Sequence, residues 1–270
     1  MKSKILLSIF VICLIFVLVG CSGVVTPITD GWLSIENEFF IIKYRSGYEN
    51  DAEKILEYAN FAWQVVMEKF PHNLAQKVVI YLYKYSEYQY EPYVTVAYTD
   101  SSKAEIYLLA PSDQSVAGSC SDWCDDLWYH KNVIHEYAHI PFWRDLGLQD
   151  IPEWFSQGFA EYFAVFCSTS SILQKYEWAL SEIKNMVKNG DGYLMSVGGD
   201  VYYGGAYIVK YMYEVYGQDK IVNLIKSNAL SFSQAIKKEL NVTSIEFEDK
   251  WLKWACEEFD ADYEQLYAPE

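Results

Sequence analysis

The chain has 270 residues, of which 51% are apolar and 17% aromatic, so it can fold around a core and has too much apolar surface for a disordered protein. Its 37 Asp and Glu residues outnumber its 21 Lys and Arg residues, and the formal net charge of −16 disfavours binding to nucleic acid. Because a long apolar run occurs only at the amino terminus, we expect an acidic domain that does not itself span a membrane.

The amino terminus has the pattern of a bacterial lipoprotein leader. Two lysines precede the apolar run Ile5–Val19, which is shorter than the roughly 20 residues of a spanning helix. The tetrapeptide Leu-Val-Gly-Cys that ends at Cys21 resembles a lipobox, in which the cysteine receives the lipid. We therefore predict a signal peptide over 1–20, lipidation at Cys21, a tether over 21–31, and anchoring at the extracytoplasmic face of the cell membrane. An uncleaved membrane anchor is the alternative.

Four cysteines follow the predicted lipid site: Cys120, Cys124, Cys167 and Cys256. Disulfides persist outside the cytoplasm, and four cysteines allow three pairings. A zinc ribbon would need CxxC pairs, whereas Cys120 and Cys124 are spaced CxxxC. We expect disulfides or unpaired buried thiols rather than a metal site at these cysteines.

Residues 32–112 are predicted to form the β-rich part of one domain that extends over 32–266. Aromatic and β-branched runs predict strands at 39–44, 77–85, 93–98 and 105–110, which should share one small sheet. Apolar residues at helical spacing predict a helix at 51–70. The 24 tyrosines are expected in the core and at half-buried strand positions rather than on a stacking platform for sugars.

Residues 120–266 are predicted to be mostly helical. Helices are expected at about 125–140, 153–167, 171–189, 202–216, 218–228, 231–239 and 243–258. Ser121 or Asp122 is a candidate N-cap for the first helix, and Pro141 is expected to end it. Strands followed by helices predict an α+β fold, with a small amino-terminal sheet and a mostly helical half.

The segment His135-Glu136-Tyr137-Ala138-His139 fits the pattern HExxH. On a helix, His135 and His139 project from one face at the separation that a single Zn²⁺ requires. Glu136 lies about 100° around the same helix. It can therefore reach a water at the metal without binding the metal, which is the position of a general base.

A two-histidine zinc site needs a third protein ligand, and the segment after Pro152 is the candidate. Asp150 and Glu153 have the spacing of a capping box, which predicts that a helix begins here. On that helix Glu153, Gln157 and Glu161 recur at every fourth position, so they share one stripe. We expect this stripe to face the metal.

The two segments together carry a specific resemblance. HExxH followed about twenty residues later by the segment WFSQGFAEY resembles the HExxH and W-x-x-E-G-x-A-x-Y of the gluzincin peptidases, the thermolysin and aminopeptidase N group, and above all of their peptidase MA-like relatives. Gln157 stands where that pattern has its Glu. The resemblance implies a thermolysin-like catalytic domain, a Zn²⁺ cofactor and peptide substrates. It also implies that the position of Gln157 supplies the third ligand, and that Glu161 holds a histidine ligand from behind.

Two further features belong to the same resemblance. The segment Val201-Tyr202-Tyr203-Gly204-Gly205-Ala206 is similar to the V-Y-x-K-G-A of the aminopeptidase N family, which implies that Tyr202 stabilises the oxyanion, although Gly204 replaces the lysine. Strand 105–110 resembles the edge strand along which substrate lies in gluzincins. The signature G-A-M-E-N is not found in the sequence, so an amino-terminal specificity does not carry over.

Gln157 leaves three outcomes open. Its neutral amide can bind zinc weakly while catalysis is retained, or Glu161 can act as the ligand instead. In the third outcome the protein has lost its activity and kept the fold. The first two predict an extracytoplasmic zinc metallopeptidase. The third predicts a non-catalytic lipoprotein that binds a peptide or a cell-envelope component in the same cleft.

Overall fold

The computed structural model describes residues 31–87, 97–113 and 125–267. The predicted leader, Cys21, Cys120 and Cys124 lie outside these residues, as do the candidate N-caps Ser121 and Asp122. Within the described residues no helix is both long and apolar enough to cross a membrane.

The described strands form one mixed sheet at the amino-terminal end of the chain. They are β1 (Leu33–Glu36), β2 (Phe40–Tyr44), β3 (Val78–Tyr83), β4 (Ala97–Asp100) and β5 (Glu105–Leu109). Their order across the sheet is β1-β2-β3-β5-β4. The pairs β2–β3 and β3–β5 are parallel, whereas β1 pairs antiparallel with β2 and β4 pairs antiparallel with β5.

The expectation that 105–110 is the edge strand is wrong for this sheet. β5 pairs with β3 through Ile80 and Ile106 on one side and with β4 on the other, so it lies inside the sheet. Its Ile106 and Leu108 are fully buried, as suits an internal strand. The edge of the described sheet is β4, whose sequence Ala-Tyr-Thr-Asp is shorter and more polar. Of the predicted strand 93–98, residues 93–96 lie outside the described residues.

A single helix, α1 (Glu49–Lys69), connects β2 to the parallel strand β3. Parallel neighbours need such a crossover, because a tight turn can join only antiparallel strands. The helix buries Ala52, Ile55, Ala59 and Val66 in the core that it shares with the sheet. The predicted helix 51–70 is therefore confirmed, with a start two residues earlier.

The remainder of the described chain is mostly helical, which confirms the α+β class. The helices are α2 (Asp126–Asp145), α3 (Glu153–Val165), α4 (Ser170–Lys175), α5 (Glu177–Lys188), α6 (Leu194–Val197), α7 (Tyr203–Tyr216), α8 (Gln218–Ile225), α9 (Phe232–Ala235), α10 (Ser244–Phe259) and α11 (Tyr263–Leu266). A π-helical turn, Ile236–Leu240, follows α9 directly.

The predicted start of α2 at about 125 is confirmed, but its predicted N-cap and its predicted end are wrong. The N-cap is Asp125, whose side chain accepts a hydrogen bond from the Trp128 backbone N–H. Pro141 lies inside the helix, which continues to Asp145. A proline cannot donate the backbone hydrogen bond of an α-helix, but Phe142, the next residue, is fully buried, and that packing favours continuation of the helix.

Two other helical predictions need correction. α3 begins at Glu153 after Pro152 and has no side-chain cap, so Asp150 and Glu153 do not form a capping box. A capping box needs its glutamate at the third helical position, whereas Glu153 occupies the first. The helix predicted at 171–189 is divided at Tyr176 into α4 and α5.

The sheet and the helical part meet at Tyr137 on α2. Its hydroxyl lies 2.7 Å from Nε2 of the buried His72, and its ring packs edge-to-face on Phe40 of β2. Tyr137 is itself fully buried.

Cys167 and Cys256 are free thiols, and burial raises the pKa of Cys167 to about 11.

Candidate metal centre

α2 passes beside the edge strand β4, and the two elements form one side of a cleft of about 620 Å³. The segment after β4, helix α3 and the beginning of α7 complete the lining. Five of the six residues predicted for a metal or catalytic role reach this cleft: His135, Glu136, His139, Gln157 and Tyr202. The sixth, Glu161, lies behind it.

The two histidines of α2 turn their Nε2 atoms toward each other. Nε2 of His135 lies 3.2 Å from Nε2 of His139, and both side chains are buried. Two nitrogens bound to one tetrahedral zinc at about 2.1 Å are separated by roughly 3.4 Å. The observed separation therefore fits a shared zinc ion.

Glu161 holds the far side of the His135 ring. Its Oε2 lies 2.8 Å from Nδ1 of His135, and its Oε1 lies 2.7 Å from Nζ of Lys131. If Nδ1 carries the proton that this carboxylate accepts, the lone pair of Nε2 points into the cleft. Burial alone would raise the pKa of Glu161, but the charge of Lys131 and the contact with His135 hold it well below its usual range.

His139 is held as a neutral imidazole. Burial is the main reason that its pKa falls to about 3, and the proximity of His135 lowers it further. The nearby Gln157 amide acts in the opposite direction. A neutral ring keeps a lone pair for a metal, so the environment of His139 is compatible with zinc at neutral pH.

Gln157 is the residue that is predicted to supply the third ligand. It is half-buried on α3 and lines the cleft together with His139. Among the described residues, no group of three or more His, Cys, Asp or Glu side chains is arranged to hold a metal. A zinc ion here would therefore have two imidazoles and one amide as protein donors. These are ligand types that zinc accepts, although a neutral set holds it less tightly than one with a carboxylate.

Glu136 is buried beside the two histidines and contacts the edge strand. Its Oε2 lies 2.7 Å from the hydroxyl oxygen of Thr99, which is also 2.9 Å from the Glu136 backbone carbonyl oxygen. Burial raises the pKa of Glu136, and neither the proximity of His135 nor the contact with Thr99 fully offsets this. A carboxylate whose proton affinity is raised is suited to taking a proton from water.

Tyr202 stands at the mouth of the cleft, immediately before α7. Its ring centre is 5.8 Å from that of His135, and 46% of the side chain is exposed. Burial of the rest and the nearby Glu136 raise its pKa, so the hydroxyl keeps its proton as a donor. The Asp200 carboxylate accepts hydrogen bonds from the backbone N–H groups of Tyr202 and Tyr203 at 3.2 and 3.1 Å, which fixes the start of α7.

Two residues of the predicted motifs remain, Glu153 and Gly204. Glu153 is exposed in the first turn of α3 and does not line the cleft, so it does not face the metal position with Gln157. Gly204 occupies the place of the lysine in the aminopeptidase pattern. A Cβ at Gly204 would lie 1.8 Å from the Val197 carbonyl oxygen, so a lysine could not replace it without movement of the backbone.

Two residues of the site were not predicted from the sequence, Thr99 and Lys131. Lys131 lies one helical turn before His135 on the same face of α2, so its spacing could have revealed it. Thr99 comes from the sheet, and no spacing along the chain relates it to Glu136.

No family model matches the chain, and no curated protein matches it.

Proposed function

We propose that this protein is a zinc-dependent metallopeptidase with a thermolysin-like, gluzincin catalytic domain, and that it hydrolyses peptide bonds outside the cytoplasm. The observation that carries the proposal is the approach of the His135 and His139 Nε2 atoms to 3.2 Å, with the Glu136 carboxylate beside them. The contact of Glu161 with His135 supports it, since a zinc-binding histidine usually donates its other N–H to a carboxylate or carbonyl.

In this proposal His135, His139 and Gln157 hold the metal. Zinc, when bound, supplies Lewis-acid activation of a water and of the scissile carbonyl. Glu136 accepts the proton of the attacking water and passes it to the leaving amine. Tyr202 donates a hydrogen bond to the carbonyl oxygen as negative charge develops on it.

The edge strand supplies a place for the substrate backbone. Among the described strands β4 pairs only with β5, and Ala97, Tyr98 and Thr99 of β4 line the cleft. An extended peptide that adds to β4 as a further strand would bind through its main chain, which favours a broad choice of sequence. Thr99 would then position Glu136 directly beside that peptide.

A non-catalytic peptide-binding role is the second candidate, and Gln157 is the observation in its favour. The described cleft brings no anionic donor to the metal position besides Glu136, so zinc could be held too weakly for turnover. Glu136 weighs against this candidate, because a protein that only binds peptides does not need a buried general base.

The test combines metal analysis with peptide hydrolysis on the purified domain. We expect about one zinc per chain, with most of it lost in both His135→Ala and His139→Ala, because each leaves too few donors for a stable site. Glu136→Gln should keep the metal and abolish hydrolysis. Unchanged zinc in both histidine variants would contradict the metal site, and peptide binding without hydrolysis in the wild type would favour the second candidate.

A further inference from the structure

Lys131 is a buried cation that lines the cleft of the proposed metal centre. Only 7% of the residue is exposed, and its Nζ lies 2.7 Å from Oε1 of Glu161, which is fully buried. Lysine is almost never buried without a partner, because removing its charge from water is costly. The pair therefore needs an explanation beyond packing.

The ammonium group is held by more than the carboxylate. Nζ of Lys131 lies 5.2 Å from the ring centre of Tyr176 and 5.6 Å from that of Tyr203, distances at which cations are attracted to aromatic rings. The two rings stack against each other, 5.9 Å apart. Tyr176 joins α4 to α5, whereas Tyr203 begins α7 and lines the cleft. One side chain from α2 is thus fixed by contacts with three other parts of the helical region.

Lys131 and His135 contact opposite oxygens of one carboxylate. The lysine takes Oε1 of Glu161 and the imidazole takes Oε2 at 2.8 Å, so the plane of the carboxylate is defined at both ends. Without the lysine, Glu161 could rotate and the His135 ring with it. Among the described residues, Glu161 is also the one carboxylate that hydrogen-bonds a proposed ligand.

We propose that Lys131 is a positioning residue for the metal centre, which fixes Glu161 so that Nδ1 of His135 donates to it and Nε2 faces the cleft. The proposal rests on the proposed function for its consequence, the strength of zinc binding. The orientation of the His135 ring, in contrast, does not depend on the proposed function. Because Gln157 adds no charge to the donor set, the orientation of the two imidazoles has a large share in holding the metal.

Lys131→Met is the direct test, since it removes the charge and keeps most of the length. Zinc affinity, measured by competition with a chromophoric chelator, should fall about 10- to 100-fold, the usual effect of losing a partner behind a metal-bound histidine. Nitrogen NMR of the metal-free protein at fixed pH should show His135 with its proton on Nδ1 in the wild type and a mixture of the two ring tautomers in the variant.

Lys210→Met is the matched control. Lys210 also pairs with a glutamate, Glu258, at 2.8 Å and also lies over two aromatic rings, those of Tyr207 and Trp254, but outside the cleft. It should change neither zinc affinity nor the His135 tautomer. If Lys131→Met behaves like this control in both measurements, the proposal is overturned.

A double variant guards against misfolding of Lys131→Met, which leaves Glu161 buried without its cation. Lys131→Met combined with Glu161→Gln removes both charges. If the lysine acts through Glu161, the double variant should lose no more zinc affinity than Glu161→Gln alone, whereas losses that add would contradict the proposal. A wild type that binds no zinc, but keeps His135 in the Nδ1–H form that Lys131→Met loses, would reject the peptidase function and leave the positioning role standing.

Discussion

Gly158 and Gly205 bring the backbones of α3 and α7 into direct contact. A Cβ placed on Gly158 would lie 2.3 Å from the carbonyl carbon of Gly205, and one placed on Gly205 would lie 2.3 Å from the Trp154 carbonyl oxygen. Gly158 follows Gln157 directly, and Gly205 lies three residues after Tyr202. The contact between these two glycines therefore sets how far the proposed third ligand is from the proposed oxyanion donor.

Gly205→Ala should reduce both stability and activity. The added methyl group meets backbone rather than a flexible side chain, so the two helices must move apart, at a cost of about 1–3 kcal/mol or more. Urea unfolding followed by circular dichroism would measure the loss. Gly199→Ala is a milder comparison, because the nearest neighbour of its new methyl group, the Ser196 carbonyl oxygen, would be 3.1 Å away. Equal stabilities of the two variants would contradict the close helix contact.

Gln157→Glu should raise zinc affinity, because it places an anionic oxygen at the same reach as the amide. Activity need not follow, since a carboxylate ligand reduces the charge of the metal centre and makes its water less acidic. Titration against a chromophoric zinc chelator measures the affinity. An unchanged affinity in Gln157→Glu would mean that this side chain does not contact the metal.

Glu161→Gln separates the two roles open to that residue. If Glu161 supports His135 from behind, zinc affinity or activity should fall about 10- to 100-fold while a measurable site remains. If Glu161 itself binds the metal, the site should lose its zinc. The same chelator titration distinguishes the two outcomes, and no change at all would contradict both.

Tyr202→Phe should lower turnover by roughly 10²-fold or more, the effect of losing one donor to a developing oxyanion. Its zinc content should not change, because the Tyr202 hydroxyl is not among the proposed ligands. Steady-state kinetics and elemental analysis on the same sample measure both. A variant with wild-type turnover would show that the exposed tyrosine contributes no hydrogen bond to the reaction.

His139 should make the metal-free protein less stable in acid. Its pKa falls from an ordinary 6.5 to about 3 on folding. The stability that the neutral ring contributes is therefore fully present above pH 6.5 and decreases as the pH falls toward 3. Burial raises the pKa of Glu136, and this shift has the opposite effect on stability. Above the ordinary pKa of that carboxyl group, it lowers the stability as the pH rises. The measurement is therefore a difference: the stability of the wild type relative to His139→Gln, with chelator present, should fall between pH 7 and pH 5. Parallel curves would contradict a buried neutral His139.

Cys21→Ser should prevent lipid attachment, because the thiol that would carry the lipid is removed. The protein should then be released from the membrane or accumulate in unprocessed form. Fractionation with immunoblotting measures both. A variant that remains on the membrane at the wild-type size would support an uncleaved anchor instead.

The parts of the structure that follow from local pattern could be predicted from the sequence. The helical spacing of His135 and His139, and the apolar spacing along 51–70, required only the geometry of a single helix. The order of strands and helices likewise gave the α+β class. These features depend on residues that are close together in the chain.

The predictions that are wrong concern features that tertiary packing determines. Pro141 is a reliable helix breaker in isolation, yet the burial of Phe142 beside it keeps α2 continuous. Both β4 and β5 have strand sequences, and only the pairing of β3 with β5 rather than with β4 determines which lies at the edge. The contact of Thr99 with Glu136 joins residues 37 positions apart, a relationship that no sequence motif expresses.

Tyr137 links the sheet to the helical part of the chain through His72 and Phe40. A fragment that began at Asp125 would contain every proposed metal ligand, but it would expose Tyr137 to solvent and remove both of its partners, His72 and Phe40. Calorimetry of the intact chain should accordingly show one transition, and proteolysis between the two parts should release unfolded pieces rather than an active core. Helix α2, which carries the proposed ligands His135 and His139, is thus packed against residues more than sixty positions earlier in the chain.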